Sequence, residues 1–343
     1  MPNHRVEQAI EDIKHGKMVV MIDDEDRENE GDLVYAATFS TPEHVNFMAT
    51  EAKGLICVAI SGEIAQRLDL QPMVQKNDSQ HETAFTVSVD AKEATTGISA
   101  FERDMTIKLL ASPISTPEDF VRPGHIFPLI AKEGGVLVRT GHTEGSVDLC
   151  KLAGLAPSAV ICEIMREDGQ MARRDDLEVF AKKHGLHIVY ISDLVEYRLR
   201  NERLVRLTSE EEIDFFDTNV EKKVFTDHRG KEHTAIIFYK LHETENVRFH
   251  NIGLDRDLLL NQSKFRQLMA SIDYLKKNGG VLVFVDADET AGVGDAMKEY
   301  GIGAQILAEL GIRNIRLLVT SKGKEFVGLG GFGLDIVEEI ALP

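Results

Sequence analysis

A single acidic segment limits how this chain can fold. Residues 23–32 read Asp-Asp-Glu-Asp-Arg-Glu-Asn-Glu-Gly-Asp, and seven of the ten are carboxylates. The segment follows residues 18–22, Met-Val-Val-Met-Ile, an apolar run that predicts a buried strand. A strand that leads into a loop rich in hard oxygen donors predicts a site for Mg²⁺ or Mn²⁺. Arg27, inside the loop, offers a fixed cation for an anionic substrate.

Two alternatives compete with this interpretation. The simpler one is a solvated acidic turn, which composition alone favours. The other is a calcium-binding EF-hand, because Asp26, Glu28, Glu30 and Gly31 have the spacing of its first three side-chain ligands and its glycine. The twelfth position must then be a bidentate glutamate, but it is Ala37, and the flanking segments predict strands rather than helices. The EF-hand is therefore excluded.

Composition narrows the class of protein. A net charge of −18 argues against a general binder of nucleic acid, which needs a basic face. The apolar runs are too short to span a bilayer, and the N-terminus lacks the apolar core of a signal peptide. The chain has three cysteines and no CxxC spacing, which is typical of a reducing compartment: Cys57, Cys150 and Cys162. We therefore expect a cytoplasmic protein that binds neither nucleic acid nor membrane.

The first two thirds of the chain alternate between strand and helix patterns. After an amphipathic helix near the N-terminus, strands are predicted at residues 18–22, 33–37, 55–60, 84–89, 135–138, 159–164 and 188–191. A helix is predicted to begin at residue 41, where Thr-Pro provides a capping hydroxyl and a proline in the first turn. Further helices are predicted at 61–70, at 99–111, from 144 and at 175–184. Alternating polarity at 85–89 predicts that some strands have one wet face. The expected fold class is α/β (α+β), a mixed sheet with flanking helices.

A charged helix at residues 192–206 leads into the polar stretch 208–212, and we place a domain boundary near residue 205. The chain then divides into domains 1–205 and 206–343. Strands predicted at 234–240, 280–285 and 316–320, with helices at 263–277 and 295–310, indicate a smaller α/β domain at the C-terminus.

Residues 139–144, Arg-Thr-Gly-His-Thr-Glu, form a second candidate segment. They follow the apolar run 135–138, and a glycine-containing turn before a helix exposes backbone N–H groups to an anion. Arg139 and Thr143 could clamp a phosphate, and His142 could bind a metal through one ring nitrogen. A lone histidine of this kind is more often structural.

Two further residues stand out. Glu163 interrupts the apolar strand 159–165, where a carboxylate without a cation, metal or proton costs free energy, so it is a candidate acid or base. The alternative is a glutamate on a solvent-facing position. His125 lies in Arg-Pro-Gly-His-Ile-Phe-Pro (122–128), where two prolines stiffen the backbone; its ordinary interpretation is a satisfied loop histidine.

Together these segments resemble 3,4-dihydroxy-2-butanone 4-phosphate synthase of riboflavin biosynthesis. The resemblance runs through most of residues 5–200 and rests on the segments 23–32, 95–100, 122–128, 134–144, 162–163 and 168–173. It implies a lyase that converts ribulose 5-phosphate to 3,4-dihydroxy-2-butanone 4-phosphate and formate. It also implies a Mg²⁺ or Mn²⁺ cofactor, a phosphosugar as the small-molecule partner, and a homodimer.

The resemblance also implies residue roles. Metal ligands would be Glu28 and His142. Essential catalytic residues would be Asp32, His125 and Glu163, and the residues alone do not decide which takes the first proton. Substrate contacts would come from Arg27, Glu28, Asp32, Arg139, Thr140, Gly141, His142, Thr143 and Glu163.

The second domain resembles GTP cyclohydrolase II at residues 315–320 and 327–334. That family holds Zn²⁺ with three cysteines, and no cysteine follows Cys162. The family's Gln-Glu-Gly-Arg-Gly-Ile-Gly reads Asp-Glu-Thr-Ala-Gly-Val-Gly at 288–294, so Ala291 replaces its arginine. We expect an inactive domain without zinc. A bifunctional riboflavin enzyme and a non-catalytic metal or nucleotide sensor are the alternatives.

Overall fold

The computed structural model of the protein describes residues 2–25, 27–79, 81, 83–239, 241–242, 244–286, 293–319 and 334–342. The chain forms two compact units, Met1–Tyr197 and Arg198–Pro343. The sequence placed this division near residue 205. Among the described residues, no helix has both the length and the apolarity needed to cross a bilayer.

Unit 1 is built on a seven-stranded sheet. Its strands are β1 (Val19–Ile22), β2 (Gly31–Ala36), β3 (Cys57–Ile60), β4 (Val89–Ala91), β5 (Phe120–Ile130), β6 (Ser158–Glu163) and β7 (His187–Tyr190). Their order across the sheet is β4-β5-β3-β6-β2-β1-β7. The pairs β1–β7 and β3–β5 are parallel, and the remaining neighbours are antiparallel. The predicted mixed α/β sheet is confirmed.

Helices flank this sheet: α1 (Pro2–Lys14), α2 (Pro42–Phe47), α3 (Gly62–Arg67), α4 (Ala100–Ala111), α5 (His142–Leu152), α6 (Arg174–His184) and α7 (Ile191–Asn201). The predicted start of α2 is confirmed, since the Thr41 side chain accepts a hydrogen bond from the His44 N–H. The main core lies under these helices and includes Leu33, Tyr35, Ile60 and Leu110. The central strands β1, β2 and β3 are buried along their whole length. They therefore hold the side chains at the ends of the strands in fixed positions.

One local prediction in unit 1 is wrong, and two others are only partly confirmed. Residues 135–138 are not a strand, because Gly135–Leu137 form a 3₁₀ turn. Gly135 has a φ of +62°, and Asp148 fills the space beside it and accepts a hydrogen bond from the Val136 N–H. The helix expected from residue 144 begins at His142. The strand predicted at 84–89 consists only of isolated bridges at Phe85 and Thr86, followed by β4.

Register places the two candidate acid–base carboxylates together. Asp32 on β2 is paired with Glu163 on β6, and with Met21 on its other side. Directly opposed residues of neighbouring strands project to the same face of a sheet. The pairing therefore brings residues 131 positions apart into one site (163 minus 32).

Unit 2 contains a second mixed sheet. Its strands are β8 (Val205–Asp214), β9 (Asn219–Asp227), β10 (Glu232–Phe238), β11 (Thr244–Ile252), β12 (Gly280–Asp286), β13 (Asn314–Val319) and β14 (Asp335–Ala341), in the order β14-β13-β11-β12-β10-β9-β8. Strands β11 to β14 run parallel where they pair, and β8, β9 and β10 are antiparallel. Its helices are α8 (Asp255–Leu260), α9 (Gln262–Asn278) and α10 (Val293–Glu309).

The end predicted for the charged helix is wrong. The charged helix expected at 192–206 ends at Asn201, and residues 208–212 belong to β8 rather than to a polar linker. The expectation of a smaller α/β unit is confirmed. The segment with Ala291 and most of residues 320–334 lie outside the described residues.

Candidate active site

The acidic loop is organised by Asp23, a residue to which the sequence assigned no role. Its buried carboxylate accepts hydrogen bonds from the N–H groups of Glu28 (3.2 Å) and Glu30 (2.8 Å). It also binds Arg27 Nη1 at 2.8 Å. Aspartate favours such side-chain-to-backbone turns after a strand. Asp23 therefore fixes the direction in which Glu28 leaves the loop.

Glu28 and His142 approach each other across the fold. Their nearest atoms, Glu28 Oε2 and His142 Nδ1, are 3.6 Å apart, and His142 Nε2 lies 3.9 Å from Asp32 Oδ1. Arg27 Nη1 lies 2.6 Å from Glu28 Oε2. Two predicted metal ligands and two predicted substrate contacts thus meet in one cluster.

The cluster has the donor set of a divalent cation site. One ligand atom each from Asp23, Glu28 and His142 lies within 4.8 Å of the others. Two buried atoms beside it, His142 Nε2 and Asp32 Oδ1, find no hydrogen-bond partner among the described residues. Carboxylate oxygens with one imidazole nitrogen suit Mg²⁺ or Mn²⁺. The residues present therefore fit the cation that the resemblance implies.

Burial and mutual charge shift the protonation of this cluster. Burial works to raise the pKa of Glu28, but its interaction with His142 and the charge of Arg27 outweigh burial and lower it to about 2. Burial would lower the pKa of His142, yet the carboxylates of Asp32, Glu28 and Asp23 raise it. For Asp32, burial and the Glu163 carboxylate raise the pKa above its usual range, against the opposing effect of His142. The site thus contains groups with separated proton affinities.

Glu163 completes the apolar strand β6 and turns its carboxylate toward residues 54–55. Its Oε2 accepts a hydrogen bond from the Leu55 N–H at 2.9 Å. A Cβ at Gly54 would lie 2.6 Å from that oxygen, so only glycine leaves the carboxylate its space. The side chain is neither fully buried nor solvent-facing.

These groups line one cavity of about 150 Å³. Seven residues that the sequence predicted contribute to its wall: Arg27, Glu28, Asp32, Arg139, His142, Thr143 and Glu163. Residues that the sequence missed complete it: Glu30, Cys57, Thr83, Phe85, Leu129 and Ile161. Thr140 and Gly141 are not among the lining residues, although Gly141 is the N-cap of α5. A larger open groove of about 460 Å³ beside α6 contains none of the predicted site residues.

The N-terminus of α5 lies at this cavity, since His142 and Thr143 are both the first helical residues and part of the cavity wall. Arg139 is anchored beside it. Its Nη1 lies 2.5 Å from Glu144 Oε2, and its Nη2 donates to the His81 carbonyl and the Thr83 hydroxyl. Glu144, which the sequence did not single out for a role of its own, is the buried counter-ion that sets the position of this guanidinium.

His125 lies apart from the other predicted residues. It is on β5, it is not among the residues that line the cavity, and its side chain is 45% exposed. Its partner is Asp90 on the neighbouring strand β4, at 2.7 Å. Among the described residues that line the cavity, His125 therefore does not accompany Asp32 and Glu163.

Comparison with known proteins identifies the family of this chain. The profile of 3,4-dihydroxy-2-butanone 4-phosphate synthase matches residues 7–197. A synthase of that description from Wolinella succinogenes is 58% identical over 342 residues, which cover 100% of this chain and 98% of the relative.

The chain belongs to the 3,4-dihydroxy-2-butanone 4-phosphate synthase family.

It is accordingly a lyase of riboflavin biosynthesis, as the sequence predicted. A solved structure described as RibBX, a two-domain synthase from A. baumannii, is 42% identical and superposes with a TM-score of 0.84, covering 99% of this chain and all of that one. A second, described as the synthase in complex with two magnesium ions, is also 42% identical, with a TM-score of 0.56 over 57% of this chain and 97% of that chain.

The second unit matches a different family. The profile of GTP cyclohydrolase II matches residues 284–341, a small part of the chain that agrees with the expected resemblance. No cysteine follows Cys162 in the sequence, so a three-cysteine zinc site cannot form in this unit.

Proposed function

We propose that unit 1 converts ribulose 5-phosphate to 3,4-dihydroxy-2-butanone 4-phosphate and formate in the cavity around Asp32, His142 and Glu163. The observation that carries this proposal is one cavity whose wall holds Glu28 and His142, two members of the cation-binding trio, together with the opposed carboxylates of Asp32 and Glu163. The reaction removes a proton beside a ketone, expels a hydroxyl as water, rearranges the carbon skeleton and releases one carbon as formate. Each step needs a proton donor or acceptor, or stabilisation of negative charge on oxygen.

Glu28 and His142 are the proposed ligands of the divalent cation. Asp23 offers a third oxygen and holds the loop that carries Glu28. When bound, the cation supplies a Lewis acid that polarises the ketone and stabilises negative charge on the sugar oxygens. Mg²⁺ and Mn²⁺ both suit this donor set, and we propose that either supports the reaction.

The phosphate of the substrate is assigned to the start of α5. The unpaired N–H groups of a helix N-terminus and its dipole favour an anion there. Thr140, Gly141 and Thr143 provide the turn and the hydroxyl groups, and Arg139 adds a positive charge held in place by Glu144. We expect Arg27, which lines the cavity from the acidic loop, to contact the substrate.

Asp32 and Glu163 are the proposed proton-transfer groups inside the cavity. Asp32 holds a proton more tightly than an ordinary aspartate, because it is buried and faces another carboxylate. Glu163 keeps its orientation through the Leu55 N–H. A carboxyl group of raised pKa beside an oriented carboxylate can give a proton to a leaving hydroxyl and accept one from carbon.

His125 takes part, in this proposal, from a second copy of the chain. Large apolar side chains are exposed on the loops and the helix next to it: Ile98, Phe101, Met105 and Ile114. Exposed apolar patches of this kind mark protein interfaces. A twofold interface there would carry the exposed imidazole of each copy toward the cavity of the other, which supports a homodimer with shared sites. The three buried, unpaired cysteines suit the reducing cytoplasm, where we place the enzyme.

The test is formate release from ribulose 5-phosphate by the full chain. After chelation, activity should vanish and return with Mg²⁺ or Mn²⁺. Glu28→Gln and His142→Asn should lose activity. The control Glu25→Gln removes the same charge as Glu28→Gln from an exposed residue of the same loop and should keep activity. Turnover that survives chelation and both ligand variants would refute the proposed site. GTP turnover with bound zinc would instead support a bifunctional enzyme.

A further inference from the structure

The segment that carries His125 is inserted into its strand. In the pairing of β4 with β5, Val89 lies opposite Ile126, whereas the next residue, Asp90, lies opposite Val121. Residues 122–125 are therefore extra residues on β5 that the partner strand does not match. Irregularities of this kind re-aim side chains and are common beside active sites.

Asp90 holds this insertion and the imidazole at the same time. One carboxylate oxygen accepts a hydrogen bond from the His125 N–H at 2.8 Å, and the other lies 2.7 Å from His125 Nδ1. The Asp90 side chain is 9% exposed, whereas that of His125 is 45% exposed. The buried carboxylate of Asp90 thus contacts the Nδ1 edge of the imidazole, while much of the His125 side chain stays exposed.

Gly97 gives an independent indication that this pair needs its space. Its φ is +80°, and a Cβ at this position would overlap Asp90 Oδ2 and lie 2.6 Å from His125 Nδ1. The loop that carries Gly97 is itself ordered by Glu102, which accepts hydrogen bonds from the Thr95 N–H (2.7 Å) and the Ser99 hydroxyl (3.0 Å). Only glycine in this loop leaves room for the contact between Asp90 and His125.

We propose that Asp90 is a positioning residue for the reaction, which holds His125 with the proton on Nδ1 and with Nε2 free to meet the substrate. A carboxylate accepts and cannot donate when ionised, so the shared hydrogen must reside on Nδ1 when the ring is neutral. Second partners of this kind determine which ring nitrogen is available for chemistry. The inference rests on the proposed role of His125.

Asp90→Asn separates positioning from folding. The amide oxygen of this variant would continue to accept from the His125 N–H, so its NH₂ group would face Nδ1 as a donor. That contact makes Nδ1 an acceptor and moves the ring proton to Nε2. We expect kcat to fall on the order of 100-fold, the scale of a misplaced acid–base group, with little change in KM. Asp90→Glu, which keeps an ionised acceptor, should recover part of the loss.

Two readouts apply to the whole enzyme. Steady-state formate release gives kcat and KM. ¹⁵N spectra of histidine-labelled protein, with the His125 signals assigned by their absence in His125→Gln, give the tautomer directly. Asp119→Asn is the matched control, because Asp119 also accepts from a backbone N–H, that of Thr116, just before β5. Gly97→Ala should reproduce the kcat loss with Asp90 and His125 both intact.

The outcomes are separable. Loss of kcat with a tautomer shift in Asp90→Asn, and neither in Asp119→Asn, supports the inference. Wild-type kcat in Asp90→Asn, or an unchanged Nδ1–H tautomer, overturns it while the role of His125 stands. Full activity in His125→Gln overturns the proposed catalytic role of His125 itself.

Discussion

Asp32 and Glu163 occupy directly opposed positions on the antiparallel strands β2 and β6, so two carboxylates face each other inside a sheet whose other residues there are apolar. Like charges at such positions destabilise a sheet. The fold keeps this arrangement although it opposes stability, which is the pattern expected of residues retained for chemistry.

Replacing Asp32 with an uncharged residue should therefore lower activity and raise the stability of the fold. We expect Asp32→Asn to lower kcat by roughly 10²- to 10⁴-fold, while the free energy of unfolding rises by up to about 1 kcal/mol as the like charge is removed. Formate release and urea titration measure the two effects, with Glu25→Gln as the control. A variant that is both active and less stable would contradict this account.

The shared-site dimer can be tested by mixing two inactive variants. His125→Ala removes the imidazole that each copy is proposed to contribute to its partner's site. His142→Asn removes a proposed metal ligand from the cavity of its own copy. In a mixed dimer one site carries both changes and the other carries neither. Co-refolded equal amounts should then regain about a quarter of wild-type activity, because half of the dimers are mixed and each has one intact site. Recovery indistinguishable from the separate variants would exclude sites shared in this way.

The buried pair of Arg139 and Glu144 should dominate local stability. Glu144 is almost wholly buried, and Glu144→Gln leaves a guanidinium without its counter-charge. We expect a loss of about 3 kcal/mol in the free energy of unfolding. Glu167→Gln is the control, since that side chain is 96% exposed in its pair with Lys53 and should change stability by less than about 1 kcal/mol. Equal effects of the two changes would mean that burial is not the deciding factor.

In unit 2, Asp227 should make stability depend on pH. Burial would raise its pKa, but the interaction with His233 and the N–H groups of Lys231 and Arg229 outweigh burial and depress it. A depressed pKa stabilises the fold above the unfolded value of about 4, and this stabilisation is lost as pH falls further. Asp227→Asn should therefore be less stable than wild type at pH 7, with the difference shrinking below pH about 4. Denaturant titrations of the full chain at both pH values measure it. A gap that stays constant or grows in acid would contradict the assignment.

Unit 2 should be dispensable for turnover. The solved synthase with two magnesium ions corresponds to only 57% of this chain, yet 97% of that protein is covered. A chain ending after Asn201, the last residue of α7, should keep kcat within about threefold of the full enzyme, since the described residues that line the cavity all belong to unit 1. Loss of activity in a truncated chain with normal circular dichroism would show that unit 2 supports the site.

Some of this fold could be predicted from sequence because its signals are local. The buried strands β1, β3 and β6 are apolar runs, and α2 begins with a capping threonine and proline. Strand β8 could not be found in this way, because nearly all its side chains are exposed and it shows no alternation of polarity. Its stability comes from pairing with β9, where Lys222 meets Glu211 and Lys223 meets Glu210.

The candidate site shows the same division. Glu28 and His142 were predicted as ligands, and the structure brings them together, but the role of Asp23 depends on hydrogen bonds to backbone groups five and seven residues away, which have no sequence pattern. The partnership of Asp90 with His125 likewise depends on an insertion in β5 that shifts the register. Long-range register is the information that a single sequence lacks.

The register of β2 against β6 also has a kinetic meaning. A slip of one residue would turn Asp32 to the opposite face of the sheet while leaving a compact, strand-rich molecule. Circular dichroism would scarcely distinguish the two forms, but with Asp32 in its proposed role only the native form would release formate. In a refolding experiment, the rate at which turnover returns would therefore report the rate at which β2 and β6 reach their native register.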